Sequence, residues 1–134
     1  MKIDGGCHCG FITYEADVDP ERTSICHCTD CQSLSGTAFR TSIHAQDTAF
    51  KLLSGEPTIY IKIGDSGAKR VQAFCPRCGS PIYATAPGDG PKHYNIRLGT
   101  VRQRNSLAPK RQIWCRSAQP WLADIPSLPG IDKQ

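Results

Sequence analysis

The chain has 134 residues and a formal charge of +4, with 39% hydrophobic and 21% charged residues, the composition of a globular protein. This length allows one domain with a real core but not two independent ones, and no apolar run is long enough to span a membrane. The 10 prolines and 12 glycines argue against a helical bundle. We therefore predict one domain over residues 1–134, ending in a Pro-rich tail at residues 126–134.

The N-terminal segment predicts a cytoplasmic protein, because residues 1–6 lack the apolar stretch of a signal peptide. The cytosol keeps thiols reduced, so the eight cysteines favour metal sites over a disulfide framework. Seven thiolates around two zinc ions would lower the formal charge from +4 to +1. The basic composition is therefore a weak argument for nucleic acid, and we expect neither a nucleic-acid nor a membrane partner.

The first half of the chain predicts short elements. Residues 11–16 and 37–43 have the alternating pattern of strands, and the polar stretch 17–24 predicts a loop. Residues 29–34 predict a short helix with a glycine stop after it. Residues 47–50 predict a turn or a short helical piece.

The second half predicts a β-hairpin and three more strands. Residues 58–63 are the clearest strand, with isoleucine at every second position, and residues 64–67 predict the turn that follows. A return strand runs directly into Cys75. The remaining predicted strands are residues 81–86, 94–98 and 112–115. The overall prediction is a mainly β fold.

Seven cysteines form two pairs and one triplet, namely Cys7 and Cys9, Cys75 and Cys78, and Cys26, Cys28 and Cys31. The two pairs can complete a four-thiolate zinc site, which is most simply structural because ligands about 70 residues apart couple metal binding to folding. The triplet then holds zinc with one open position, as catalytic zinc sites do. Spacing alone also allows the second pair to join two thiols of the triplet, but the first pair would then lack partners.

A zinc ion held by three thiolates carries a net charge of −1, so it polarises bound water less than a three-histidine zinc does. Such a zinc is better suited to accepting a fourth thiolate and presenting it to an electrophile. The triplet therefore favours thiol chemistry over the hydrolysis of peptides or esters.

Other candidates are weaker. Cys115 stands alone and is more typical of a buried apolar residue than of a ligand. His8 and His27 lie between paired cysteines, where the ring usually points away from the metal. A basic stretch near the C-terminus is either a solvated surface or a patch for carboxylates or an acidic partner: Arg102, Arg104, Lys110, Arg111 and Arg116.

Three motifs and their flanks resemble the glutathione-dependent formaldehyde-activating enzyme family, which shares its domain with centromere protein V. They are GCHCG at residues 6–10, CHCTDCQ at residues 26–32 followed by SGTAF, and FCPRCGSP at residues 74–81. RLGT at residues 97–100 and the Pro120-Trp121 pair fit later blocks, so the similarity covers nearly the whole chain.

The resemblance implies an Mss4-like fold of several curled antiparallel sheets with short helical turns. It also implies two zinc ions per chain, a structural one on Cys7, Cys9, Cys75 and Cys78 and a catalytic one on Cys26, Cys28 and Cys31. The implied reaction forms or cleaves a carbon–sulfur bond. Glutathione and formaldehyde give S-hydroxymethylglutathione, with the thiolate as the fourth ligand of the catalytic zinc.

The chain departs from the family pattern at two places that bear on the pocket. Many members continue with Leu-Asp-Asp where this chain reads Val101-Arg102-Gln103, and Gln112 replaces a common histidine. The leading hypothesis is a zinc-dependent carbon–sulfur lyase acting on a glutathione-type thiol adduct. The alternatives are a non-catalytic zinc-binding module that uses the basic stretch, and a redox or metal-handling protein whose triplet oxidises.

Overall fold

A computed structural model describes all residues, 1–134. Its single α-helix, α1, spans Thr29–Ser35. Five short 3-10 helices connect or follow the strands, at Pro20–Arg22, Leu98–Thr100, Arg104–Ser106, Cys115–Ser117 and Pro120–Ser127. The nine strands are β1 (Lys2–Gly6), β2 (Thr13–Val18), β3 (Ser24–Cys26), β4 (Arg40–Ser54), β5 (Thr58–Ile63), β6 (Lys69–Phe74), β7 (Pro81–Thr85), β8 (His93–Arg97) and β9 (Arg111–Ile113).

The strands form one hydrogen-bonded network in the order β1-β2-β4-β8-β7-β6-β5. All pairs along this path are antiparallel, which confirms the mainly β prediction. Strand β3 pairs with the start of β4 and runs parallel to β9. No helix has the length and apolar character needed to cross a membrane.

The core is one cluster of buried side chains, most of which come from the strands. Strand β2 begins two residues after the start of the strand predicted at 11–16 and includes Asp17 and Val18 of the predicted loop. Its side chains alternate, with Tyr14, Ala16 and Val18 buried and the residues between them more exposed. Fully buried isoleucines from the neighbouring β4 and β8, Ile43 and Ile96, pack in the same cluster. Burying each such side chain contributes about 1.5–3 kcal/mol, so these alternating faces hold the sheet together.

The turn predicted at residues 47–50 is wrong, because these residues lie inside the 15-residue strand β4. Strand β8 pairs with residues 42–46 of β4, and β2 pairs with Ala45 and with residues 50–54. The register of β2 shifts between Ala16 and Val18, so residues 46–49 bulge out of that pairing, and the N–H of Asp47 donates to the carbonyl of Lys92 at 3.0 Å. Pairing on both sides of the irregularity therefore carries the strand through a segment of weak strand propensity.

Strand β5 has the predicted bounds, but its pattern of burial is unusual. It lies at the edge of the sheet, and Ile59, Ile61 and Ile63 are 46%, 41% and 67% exposed. The only residue of the strand that is not exposed is Lys62. The alternation that defines the strand thus turns a charged side chain inward and leaves apolar ones at the surface.

Gly5 lies where β1 crosses the 3-10 helix at Leu98–Thr100. A Cβ at this position would overlap the backbone oxygen of Thr100 and the hydroxyl of the buried Tyr14. That hydroxyl lies 2.8 Å from Thr100 Oγ1, so the two neighbours hold each other in place. The close approach requires a residue with no side chain.

We expect Gly5→Ala to lower the free energy of unfolding by about 1–3 kcal/mol, the usual cost of overpacking a buried site. Gly99→Ala is the matched control, because a Cβ at Gly99 would meet no atom within 4 Å. Urea denaturation of both variants measures the difference. Equal stability of the two variants would contradict the proposed overlap at Gly5.

Candidate metal centres

The two cysteine pairs meet in one cluster. The ligand atoms of Cys7, Cys9, Cys75 and Cys78 all lie within 4.8 Å of one another. The sulfur of Cys9 is 3.6 Å from that of Cys7 and 3.7 Å from that of Cys75. Sulfurs on one tetrahedral zinc are about 3.8 Å apart, since each Zn–S bond is about 2.3 Å, whereas a disulfide bond is about 2.05 Å. The cluster therefore fits a metal and not disulfides.

Both pairs lie in tight turns that end in a left-handed glycine. Gly10 and Gly79 have φ values of +83° and +78°, and each donates its N–H to the carbonyl of the first cysteine of its pair. Backbone N–H groups also point at the sulfurs, at 3.2 Å from Ile12 to Cys7 and 3.4 Å from Arg77 to Cys75. Both sulfurs are thus placed as acceptors, the role that they would also have as metal ligands.

The triplet of cysteines lies where β3 leads into α1. The sulfurs of Cys26, Cys28 and Cys31 lie within 4.8 Å of one another. Cys28 is the N-cap of α1, and its Sγ accepts the N–H of Cys31 at 3.3 Å. Gly36, with φ +69°, ends the helix as the sequence predicts.

The structure settles which cysteines group together. The pair Cys75 and Cys78 joins Cys7 and Cys9, and no thiol of the triplet lies in that cluster. The alternative in which the second pair joins the triplet is therefore wrong. One cluster of four sulfurs and one of three could each hold a metal ion.

The three thiols of the triplet do not ionise equally. Burial raises the pKa of Cys31 to about 12 and also raises that of Cys26. Burial opposes ionisation of Cys28 too, but the Cys31 N–H, the neighbouring thiols and the charge of Lys62 together lower its pKa. Since adjacent thiolates repel one another, only a bound cation lets all three ionise. The donor set thus fits a thiophilic ion such as zinc.

A polar cavity of about 460 Å³ adjoins Cys28. Lys62 lines it and forms a 2.8 Å ion pair with Asp30, which explains why this residue of β5 turns inward. Trp114 also lines the cavity, in a left-handed conformation (φ 56°) that costs a non-glycine residue roughly 1–3 kcal/mol. Arg116 lies over its ring at 5.4 Å from the centroid. Lys62 and Arg116 thus line the cavity together with Asp30 and Asp65, so charges of both signs lie beside the triplet.

Side-chain hydrogen bonds hold the triplet loop in place. Gln32 of α1 donates to the carbonyls of His27 and Ser117 at 2.8 and 3.0 Å and accepts from Gln119 at 2.8 Å. The buried ring of His27 lies with Nε2 2.7 Å from Oε1 of Gln112. The glutamine that departs from the family pattern therefore supports the loop, and His27 is not a member of either cluster.

Other sequence predictions have mixed outcomes. Cys115 is exposed and belongs to neither cluster, so the prediction that it is buried is wrong. His8 is also outside the clusters. In the basic stretch, Arg102 pairs with Asp4 at 2.9 Å and Lys110 with Glu21 at 3.4 Å. Part of the charge of that stretch is therefore already matched within the chain.

Sequence reasoning missed the charged residues around the triplet, Lys62, Arg40 and Arg97. Lys62 belongs to an otherwise apolar strand, and its inward position depends on which edge of the sheet β5 occupies. Arg40 lies directly opposite Cys26 in the β3–β4 pair, so their side chains share a face. Only the register of the strands reveals that neighbour.

Comparison with known proteins identifies the family. The profile of the family described as "Glutathione-dependent formaldehyde-activating enzyme" matches residues 2–117. The match covers most of the chain, so this protein belongs to that family, as its motifs indicated. The antiparallel sheet agrees with the Mss4-like fold that the resemblance implies.

Comparison with solved structures supports the fold. A crystal structure of a Rhodobacter sphaeroides protein, a structural genomics target, has a TM-score of 0.62 and 16% sequence identity. The similarity covers 81% of this chain and 98% of that chain. Identity this low shows the fold alone. No curated protein matches the chain.

We expect Cys75→Ser to remove one metal ion per chain and to lower the thermal midpoint, because Cys75 is fully buried and its cluster joins distant segments. Cys115→Ser is the matched control and should stay within about 0.5 kcal/mol of the original protein. Elemental analysis and calorimetry measure the two effects. An unchanged metal content in Cys75→Ser would contradict the four-sulfur site.

Proposed function

We propose that this protein is a zinc-dependent carbon–sulfur lyase that joins a glutathione-type thiol to formaldehyde, or cleaves the adduct. The observation that supports this most directly is the cluster of three thiols, Cys26, Cys28 and Cys31, next to a cavity large enough for a small molecule. When bound there, zinc would supply a coordination position that accepts a fourth thiolate and keeps it deprotonated. Family membership supports the same reaction.

The residues of the chain prepare the site for this thiolate. Pairing of β3 with β4 and β9 on its two sides and the N-cap bond of Cys28 fix the three sulfurs before a substrate arrives. A fourth thiolate adds negative charge, which the ammonium group of Lys62 offsets across the cavity. Addition to formaldehyde then needs no oxidant. The sulfur lone pair forms the new bond, the carbonyl electron pair moves to oxygen, and the proton lost by the thiol ends on that oxygen.

The second zinc in this proposal is structural and lies in the cluster of Cys7, Cys9, Cys75 and Cys78. Four ligands close its coordination shell, so it offers no position for a substrate. Each pair contributes one buried and one exposed cysteine. All eight cysteines are free of disulfides, which suits the cytoplasmic location that we infer for the protein.

The non-catalytic alternative has less support. An interaction module would need a continuous basic surface, yet two of the five basic residues in the stretch already pair with carboxylates. The polar cavity next to Cys28 also has no role in that alternative. We therefore place the function at the triplet.

We expect Cys28→Ser to reduce the acceleration of S-hydroxymethylglutathione formation by at least about 100-fold. Even residues that only support a metal ligand are worth 10–100-fold, so losing a ligand should cost more. A serine oxygen can keep the N-cap bond to Cys31, so the fold should persist. Exchange spectroscopy by NMR separates the catalysed from the spontaneous reaction.

Cys115→Ser serves as the control, because Cys115 is exposed and lies outside both clusters. The Cys28→Ser variant should retain one zinc per chain. If it accelerated the reaction as well as the original protein does, the triplet would not be the reaction site.

A further inference from the structure

Two arginines are buried beside the triplet without an acidic partner. Arg40 of β4 is 6% exposed and Arg97 of β8 is 9% exposed. Neither takes part in any of the four ion pairs of the structure. A buried charge is normally paired, because removing it from water without compensation is costly. The missing anion therefore needs an explanation.

One amide oxygen holds the two guanidinium groups together. Oε1 of Gln72 accepts from Nη1 of Arg40 at 3.1 Å and from Nη2 of Arg97 at 2.8 Å. Arg97 also donates to Oγ of Ser42 at 3.0 Å. Keeping two positive groups on one neutral oxygen is unfavourable by itself, since like charges repel. The two guanidinium groups are therefore arranged to contact an anion, and the chain itself does not provide one.

Several N–H donors of this pair are unused. A guanidinium has five N–H donors, and these two groups make only three hydrogen bonds between them. Nε and Nη2 of Arg40 and Nε of Arg97 are buried and have no partner at all. Buried donors without acceptors are rare in native proteins, so these three need acceptors from outside the chain.

The thiolates of the triplet supply part of the negative charge that the two arginines need. They do not provide acceptors for the unused N–H donors. Arg40 shares a face of the sheet with Cys26, and its charge acts on Cys31 to favour the thiolate. No hydrogen bond, however, joins a sulfur to either arginine. Thiolates that bind a metal would supply charge from a distance, whereas the N–H donors need oxygen acceptors in contact.

Two cavities meet at the arginines. One of about 550 Å³ extends from them towards Thr100 and Trp121, and another of about 260 Å³ extends towards Leu34 of α1. Leu34 lies three residues after Cys31, so the two share a helix face and are about one turn, or 5 Å, apart. Arg40 lines both cavities and lies directly opposite Cys26 in the β3–β4 pair, so a group bound at the arginines is next to the triplet although no cysteine of the triplet lines either cavity.

We propose that Arg40 and Arg97 form a carboxylate-binding subsite that selects anionic thiols as substrates. This inference rests on the proposed function, because it places the sulfur of the same substrate at the triplet. The planar forks of two guanidinium groups match the two oxygens of one carboxylate. Gln72 and Ser42 hold the forks in place, so they are positioning residues of the subsite.

The test compares two ligands and two forms of the zinc-loaded protein. Glutathione carries two carboxylates, and its diamide has the same thiol and nearly the same size without them. We expect the original protein to bind glutathione at least about 30-fold more tightly, as expected when a buried charged partner is lost. In Arg97→Gln this preference should disappear through weaker binding of glutathione, with the affinity for the diamide changed less than about 3-fold. Titration calorimetry gives the four dissociation constants.

Controls separate the subsite from a general charge effect. Arg102→Gln removes an exposed arginine on the surface and should keep the full preference. Equal losses for both ligands in Arg97→Gln would mean that the arginines only balance the thiolates, and this would overturn the proposal. Arg97→Lys keeps the charge without the fork and should retain part of the preference. If Arg97→Gln fails to fold, equal affinities of the original protein for the two ligands would still refute the subsite.

A ligand without a thiol distinguishes the subsite from the reaction. S-methylglutathione keeps both carboxylates but cannot become a thiolate, so we expect it to bind the original protein and to lose that binding in Arg97→Gln. This result without any Cys28-dependent acceleration would leave the subsite standing and remove the proposed reaction. If the acceleration depended on Cys28 but Arg97→Gln changed the binding of neither ligand, the proposed reaction would stand and the subsite would be refuted.

Discussion

Mutual repulsion of thiolates is the constraint on which this structure depends. Seven sulfurs lie in two clusters in which every pair of ligand atoms is within 4.8 Å, a spacing that charged sulfurs tolerate only around a cation. In the four-sulfur cluster, the constraint ties the N-terminal turn to the turn between β6 and β7. A metal bound there would therefore couple its binding to the folding of these distant segments.

The long strand β4 connects the three-sulfur cluster to the rest of the sheet. Its first residues pair with β3, which carries Cys26, while its middle and end pair with the core strands β8 and β2. Strand β4 thus joins the triplet to the buried core, to which β4 contributes Ile43 and Ala45. A site supported in this way can leave one position open and still keep its geometry.

The cysteine groups, the strand at residues 58–63 and the helix after Cys28 could be predicted because they depend on local spacing. The length of β4 could not, since residues 46–49 lie in a register shift opposite Asp17 and only the pairing on both sides of it carries the strand through. Exposure of Cys115 follows from the left-handed turn at Trp114, which no sequence pattern signals. The environment of Lys62 and Arg40 depends on register, so only the assembled sheet reveals it.

The residues that depart from the usual pattern of buried apolar and exposed charged side chains lie in one region. Strand β5 turns Lys62 inward and its isoleucines outward, and β4 and β8 bury arginines without carboxylates. Each exception lowers stability when considered alone, since a buried charge needs a partner. All three charges lie around the triplet. Lys62 is paired with Asp30, whereas Arg40 and Arg97 have no carboxylate, and the anions that would satisfy these two are metal-bound thiolates and an acidic ligand. A sequence selected for stability alone would not keep these charges, so their common location is best explained by recognition of a negatively charged thiol.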